Sequence, residues 1–138
     1  MSTAVMNADP VVALSVPSTP ESVSVVRGQI RAALIHRGLD AYVGDAELIV
    51  SELVSNAVKH ASTSQADEIT VALVRTEHPP AVAVIVIDTC PAPPAMREVA
   101  PEDEGGRGLR IIDTLSAFWD WHPEGKGKAV IAVLTDEN

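Results

Sequence analysis

Glu47-Leu-Ile-Val-Ser-Glu-Leu-Val-Ser-Asn-Ala-Val-Lys-His-Ala61 is the core of a helical pattern that starts near Ala41. Val43, Ala46, Val50, Leu53, Val54, Ala57 and Val58 recur at helical spacing and fall on one side. At about 100° per residue, Asp45, Glu52, Asn56 and Lys59 form a second stripe, read as lying opposite the apolar one. A solvated helix face explains that stripe equally well. Against this stand the cost of Asn in a helix interior and the four-residue step of Glu52, Asn56 and His60, which stacks them along one side. A carboxylate one turn from an amide suits the holding of a water beside a hydrated Mg²⁺.

On the amino-terminal side, residues 1–10 read as a flexible tail ahead of one domain over 11–136. Val12, Leu14 and Val16 alternate as a strand that Pro17 ends. Ser18-Thr19-Pro20-Glu21 has the form of a helix start, with a capping hydroxyl and a first-turn proline. Val23, Val26, Ile30, Ala33 and Leu34 continue that helix, and Gly38 terminates it. On the carboxyl side the period changes to two: Ile69, Val71 and Leu73 alternate, Pro79-Pro80 breaks the chain, and Ala81–Ile87 is apolar throughout. This is a hairpin whose second strand is central, covered on both faces. From Cys90 to Gly105 no period appears, as for a binding loop or lid. Leu109, Ile112, Leu115 and Trp119 predict a third helix from near Gly108. Trp119–His122 and Ala129–Leu134 predict a last hairpin through Gly125-Lys126-Gly127. The order β-α-α-β-β-loop-α-β-β is that of an α/β (α+β) two-layer sandwich with an antiparallel or mixed sheet.

The whole chain narrows the chemistry. Its 138 residues make one domain, and 46% hydrophobic content excludes a disordered polymer. With aromatics at 3%, the core rests on Val, Ala, Ile and Leu. A net charge of −9 opposes DNA, RNA or anionic lipid as a partner. One cysteine excludes an internal disulfide, and the four histidines are scattered singly, without zinc-ligand spacing. No apolar run is long enough to cross a bilayer and no basic-then-apolar leader opens the chain, so a cytoplasmic location is expected.

Two further places carry polar residues where a bland domain has little need of them. Asp88 ends the most apolar strand, where it must find donors or reach solvent; a strand-end turn into a loop is the structural alternative. Glu104-Gly105-Gly106-Arg107-Gly108-Leu109 opens directly into a helix, where free N–H groups attract phosphate; a plain hinge is the alternative. The spaced Gly-Lys-Ser/Thr of a P-loop is absent.

In order, these are Glu-x-x-x-Asn-x-x-x-His, an Asp closing an apolar strand, a long loop, and Gly-x-Gly-Leu at a helix start. The segment Glu47–Ala61 resembles the N box of the GHKL ATPases (gyrase, heat-shock chaperone, histidine kinase and mismatch-repair types). Gly106-Arg107-Gly108-Leu109 resembles the glycine box at the end of their ATP lid. The short form is most similar to stand-alone bacterial anti-sigma factor serine kinases. The resemblance spans about residues 10–135 and implies a Bergerat-type ATP-binding fold, its sheet covered on one face by three helices.

It further implies ATP and Mg²⁺ as cofactors, with Asn56 as the Mg²⁺ ligand and Glu52 as the general base. Lys59 and His60 would lie near the phosphates, and Asp88 would accept a hydrogen bond from the adenine amino group. Gly106, Gly108 and Leu109 would close over the nucleotide, with Arg107 on a phosphate. The implied partners are a sigma factor and an anti-anti-sigma protein whose serine accepts the phosphoryl group, Arg27 meeting the partner; a homodimer is implied as well.

The chain departs from the pattern in three ways. Thr89-Cys90-Pro91 follows Asp88 where the family has x-Gly-x-Gly, and Ala129 stands where many relatives carry a Thr near the nucleotide. Glu98, Glu102, Asp103 and Glu104 load the lid with negative charge against Arg97. These changes predict weak to moderate ATP affinity, with a dissociation constant not below about 1 μM. The expected function is an ATP-binding regulator of transcription by partner switching, an anti-sigma factor with serine/threonine kinase activity. The alternative is a partner-sequestering module of the same fold that binds nucleotide without catalysis. A histidine-kinase fragment is a third reading, disfavoured because no phospho-accepting histidine helix precedes the domain.

Overall fold

The computed structural model describes residues 8–60, 67–77, 79–90 and 111–135, with the backbone alone for His60. Strand β1 (Asp9–Pro17) leads into α1 (Glu21–His36), a 3₁₀ turn (Asp40–Tyr42) and α2 (Val43–His60). Then come β2 (Glu68–Glu77), β3 (Pro80–Asp88), the helical turn α3 over residues 111–115, β4 (Phe118–Glu124) and β5 (Gly127–Thr135). The five strands form one sheet in the order β1-β2-β3-β5-β4. Every adjacent pair is antiparallel, which resolves the choice between a mixed and an antiparallel sheet.

Strand alternation separates the two faces of the sheet. Val16, Ile69, Val71, Leu73, Val82, Val84, Val86, Val130, Ala132 and Leu134 point to the helices and join one core. The helices contribute Val26, Ile30 and Leu34 from α1, Ile49, Val50, Leu53 and Val54 from α2, and Ile112 from α3. Fully burying each such side chain stabilises the fold by about 1.5–3 kcal/mol. Ala72, Val74, Ala83, Ile85, Ile87, Ile131 and Val133 take the other parity and are half-buried on the far face, away from the described helices. β3 is central, between β2 and β5, as expected, but among the described residues helices cover only its Val82, Val84 and Val86 face, so the expected covering of both faces is not seen.

The ends of α1 show which local signals act. Gly38 has φ +72°, and the Leu39 N–H donates to the Leu34 carbonyl (2.8 Å) while the Gly38 N–H donates to that of Ile35 (3.0 Å). This is a Schellman stop, in which glycine adopts the left-handed conformation without a Cβ penalty. The start differs from the sequence expectation. Pro20 occupies the N-cap and no side chain caps the helix; the Ser22 hydroxyl instead donates to the Pro17 carbonyl at 2.6 Å and ties the helix to the end of β1.

Trp119 also differs. Its spacing from Leu115 suggests helix, yet α3 ends at residue 115, and the Ala117 N–H already pairs with the Val133 carbonyl (2.8 Å). Trp119 belongs to β4, as its place at the start of the expected last hairpin requires, and reaches back through Nε1 to Asp113 Oδ1 at 3.2 Å. The last hairpin turns at Gly125, φ +56°.

Candidate functional site

The site begins with strand parity. Asp88 is the cross-strand partner of Lys128, and directly opposed residues of an antiparallel pair project to the same face. That face is the one packed by the helices, since Val86, two residues before Asp88, and Val130, two residues after Lys128, both join the core. The two charges are therefore forced together at the end of the sheet. Lys128 Nζ lies 3.1 Å from Asp88 Oδ2 and 3.2 Å from Oδ1, with side chains only 9% and 8% exposed. The Cys90 N–H donates to Asp88 Oδ1 at 2.9 Å, and Lys128 donates to the Cys90 carbonyl at 3.2 Å. A buried carboxylate is costly without donors; here a cation and a backbone N–H supply them.

Gly127 sets how closely β5 approaches the end of β3. A Cβ there would lie 1.8 Å from the Asp88 carbonyl oxygen and 2.6 Å from the Thr89 Cα. Only glycine fits this crossing, so the residue before Lys128 is fixed by backbone sterics.

Helix α2 crosses β3 and β5 and carries the next candidates. Its buried stripe lies elsewhere than the sequence expectation put it. Ile49, left out of the expected apolar set, is wholly buried, whereas Val58 is only half-buried. The stripe is thereby rotated toward the Glu52–Asn56 side. Those two residues do not stand opposite the core; they are half-buried on its flank. Among the described residues neither side chain has a hydrogen-bond or ion-pair partner, and Lys59 is exposed, equally unpartnered.

Ala129, expected near the nucleotide, registers with Ile87 and takes the parity of the far face. The residue beside Asp88 is Lys128, which the sequence reading passed over. Its signal was present: Val130, Ala132 and Leu134 are core-facing, and Lys128 shares their parity. A lysine at a core-facing position calls for a buried anion. The His60 side chain, Gly106, Arg107, Gly108, Leu109 and the acidic lid residues lie outside the described residues.

An open groove of about 610 Å³ lies between the start of β1 and the end of α1, lined by Val11, Val12, Gln29, Ala33, His36 and Arg37. The register puts it at the opposite end of the sheet from Asp88, so it belongs to a different part of the surface. Among the described residues no group of three His, Cys, Asp or Glu side chains could hold a metal, and no helix is long and apolar enough to cross a membrane.

This arrangement, a half-buried Glu and Asn on one helix beside a central strand that ends in a buried Asp, stands with a match over residues 16–134 to the histidine kinase-like ATPase domain. The chain belongs to that family, and its two-layer α+β architecture is the family's fold. No curated protein matches it. Membership implies ATP binding. The donor set also fits the family's Mg²⁺: a lone amide oxygen at Asn56 suits an ion that keeps most of its waters and takes its other ligands from phosphate.

Proposed function

We propose that the protein is an ATP-binding regulator that acts as an anti-sigma factor and phosphorylates a serine of an anti-anti-sigma partner. The observation that carries this reading is Glu52, half-buried, without a partner among the described residues and one turn before Asn56. A pure binding module needs no free carboxylate there, whereas a kinase needs a group to take the proton of the attacking hydroxyl. Bound Mg²⁺·ATP would supply the phosphoryl group and neutralise its charge. The chain's own share is positional: Asn56 holds the metal, Lys59 adds positive charge near the phosphates, Asp88 orients the base, and Glu52 receives the proton.

Arg27 is exposed on α1 with no ion-pair partner among the described residues, and Val25 on the same helix and Leu48 on α2 are exposed at 50% and 42%. They supply a charged and apolar surface for a protein partner, the sigma factor or its antagonist. A homodimer is part of the same reading; the uncharged far-face residues of β2, β3 and β5 favour it. A cytoplasmic location follows from such partners.

A second reading has its own support. Asp88 is already held by Lys128 and Cys90, and Thr89-Cys90-Pro91 replaces the family's glycines. Both favour a module that uses nucleotide as a structural ligand and sequesters its partner without catalysis. Incubation with Mg²⁺·ATP and an anti-anti-sigma protein separates the two. Serine phosphorylation that Glu52→Ala abolishes, with ATP binding retained, establishes the kinase. An unchanged rate in that variant removes Glu52 as the base, and no transfer by wild type leaves the sequestering module.

A further inference from the structure

The Asp88–Lys128 pair has capacity left over. An ammonium carries three donors; Lys128 directs two of them at the Asp88 carboxylate and the Cys90 carbonyl, and the third has no partner among the described residues. Asp88 Oδ1 accepts from Cys90 and Lys128, whereas among the described residues Oδ2 accepts from Lys128 alone, which leaves it a lone pair. One donor and one acceptor thus stand about 3.1 Å apart, side by side and nearly sealed from water.

Resting on the nucleotide-binding reading above, we infer that Lys128 is a specificity-determining residue that lets the site take 6-keto purine nucleotides as well as ATP. A carboxylate alone accepts from the adenine amino group and repels the 6-keto oxygen of guanine or hypoxanthine, because two acceptors then face each other. Lys128 removes that penalty. Its free donor meets the keto oxygen while Asp88 Oδ2 accepts from the ring N1–H. For adenine the same pair donates to N1 and accepts from the amino group. Both edges offer an acceptor beside a donor but in opposite order, so a keto base meets the pair turned over relative to adenine. The ammonium–carbonyl contact is the charge-assisted one and adds most to the keto bases.

The test is competition calorimetry of the magnesium complexes of ATP, GTP and inosine triphosphate on the full chain. Inosine triphosphate isolates the keto oxygen from the extra amino group of guanine, and wild type alone is enough to judge the inference. The expected result is binding of inosine triphosphate and GTP within tenfold of ATP. A preference for ATP above a hundredfold over both overturns the inference and leaves the nucleotide-binding reading intact. Binding of none of the three removes both. In Lys128→Met, of similar length and without the donor, the keto-to-adenine ratio is expected to fall at least tenfold. Lys128→Arg, which keeps charge and donors, should hold the ratio. An unchanged ratio in a folded Lys128→Met overturns the inference from the protein side, as that is what a purely structural ion pair gives.

Discussion

Gly127 and Asp88 meet backbone to backbone: a methyl group on Gly127 would sit 1.8 Å from the Asp88 carbonyl oxygen. The side chain of Asp88 is aimed by the same contact, because it fixes the strand crossing that brings Lys128 alongside. A residue with no side chain therefore governs the placement of a charged pair.

Gly127→Ala should for this reason be costly although the residue is small. The obstruction is backbone, which cannot swing away as a flexible side chain would, so strands β3 and β5 must separate at this end. Overpacking of this kind costs roughly 1–3 kcal/mol. Thermal unfolding is expected to fall by several degrees, and a variant melting within a degree of wild type would show that the crossing relaxes freely.

Breaking the buried pair should cost more than replacing it. Lys128→Ala leaves Asp88 with the Cys90 N–H alone, and an uncompensated buried charge costs about 3–5 kcal/mol. The double variant Asp88→Leu/Lys128→Met removes both charges and should recover most of that loss. Denaturant melts of the two singles and the double give the coupling directly; additive losses would show that the charges act independently.

Ile49 was absent from the expected apolar stripe yet is wholly buried, and it turns α2 so that Asn56 and Glu52 reach the flank of the core. Ile49→Ala should destabilise by about 2–5 kcal/mol. Asn56→Ala and Glu52→Ala, at half-buried positions with no partner among the described residues, should each stay within about 0.5 kcal/mol of wild type. Urea melts rank the three; a large loss in Glu52→Ala would assign that residue to stability instead of chemistry.

Much of this was readable from residue pattern. The period-two run around Val71 and the helical period from Val43 specify their elements, because each buries one repeating face, and the unbroken apolar run around Val84 marks the central strand. The Gly38 stop was also plain, since a left-handed helix end has few other solutions. What pattern could not supply was parity across strands. The family resemblance puts Ala129 near the nucleotide, and only the register shows Lys128 beside Asp88. Likewise Thr19 looks like a helix cap, but Pro20 holds that place and the Ser22 hydroxyl is drawn to Pro17. Trp119 fits a helical spacing from Leu115 yet lies in a strand, from which its indole donates to Asp113. Each of these turns on a contact between segments distant in sequence or on competition between neighbouring hydroxyls, and a single periodicity reports neither.

The central claim, that Asp88 lies at the base-binding end of an ATP site, is tested most directly by calorimetric titration of Mg²⁺·ATP into wild type and Asp88→Ala, with the melting temperature of each recorded. The account predicts saturable heat in wild type with a dissociation constant of about 1 μM or weaker. At a hundredfold excess over that constant, ligand should stabilise wild type by about 2.7 kcal/mol, and a folded Asp88→Ala should give neither heat nor stabilisation. Undiminished binding in the variant, or no heat and no thermal shift in wild type at millimolar ATP, would contradict it.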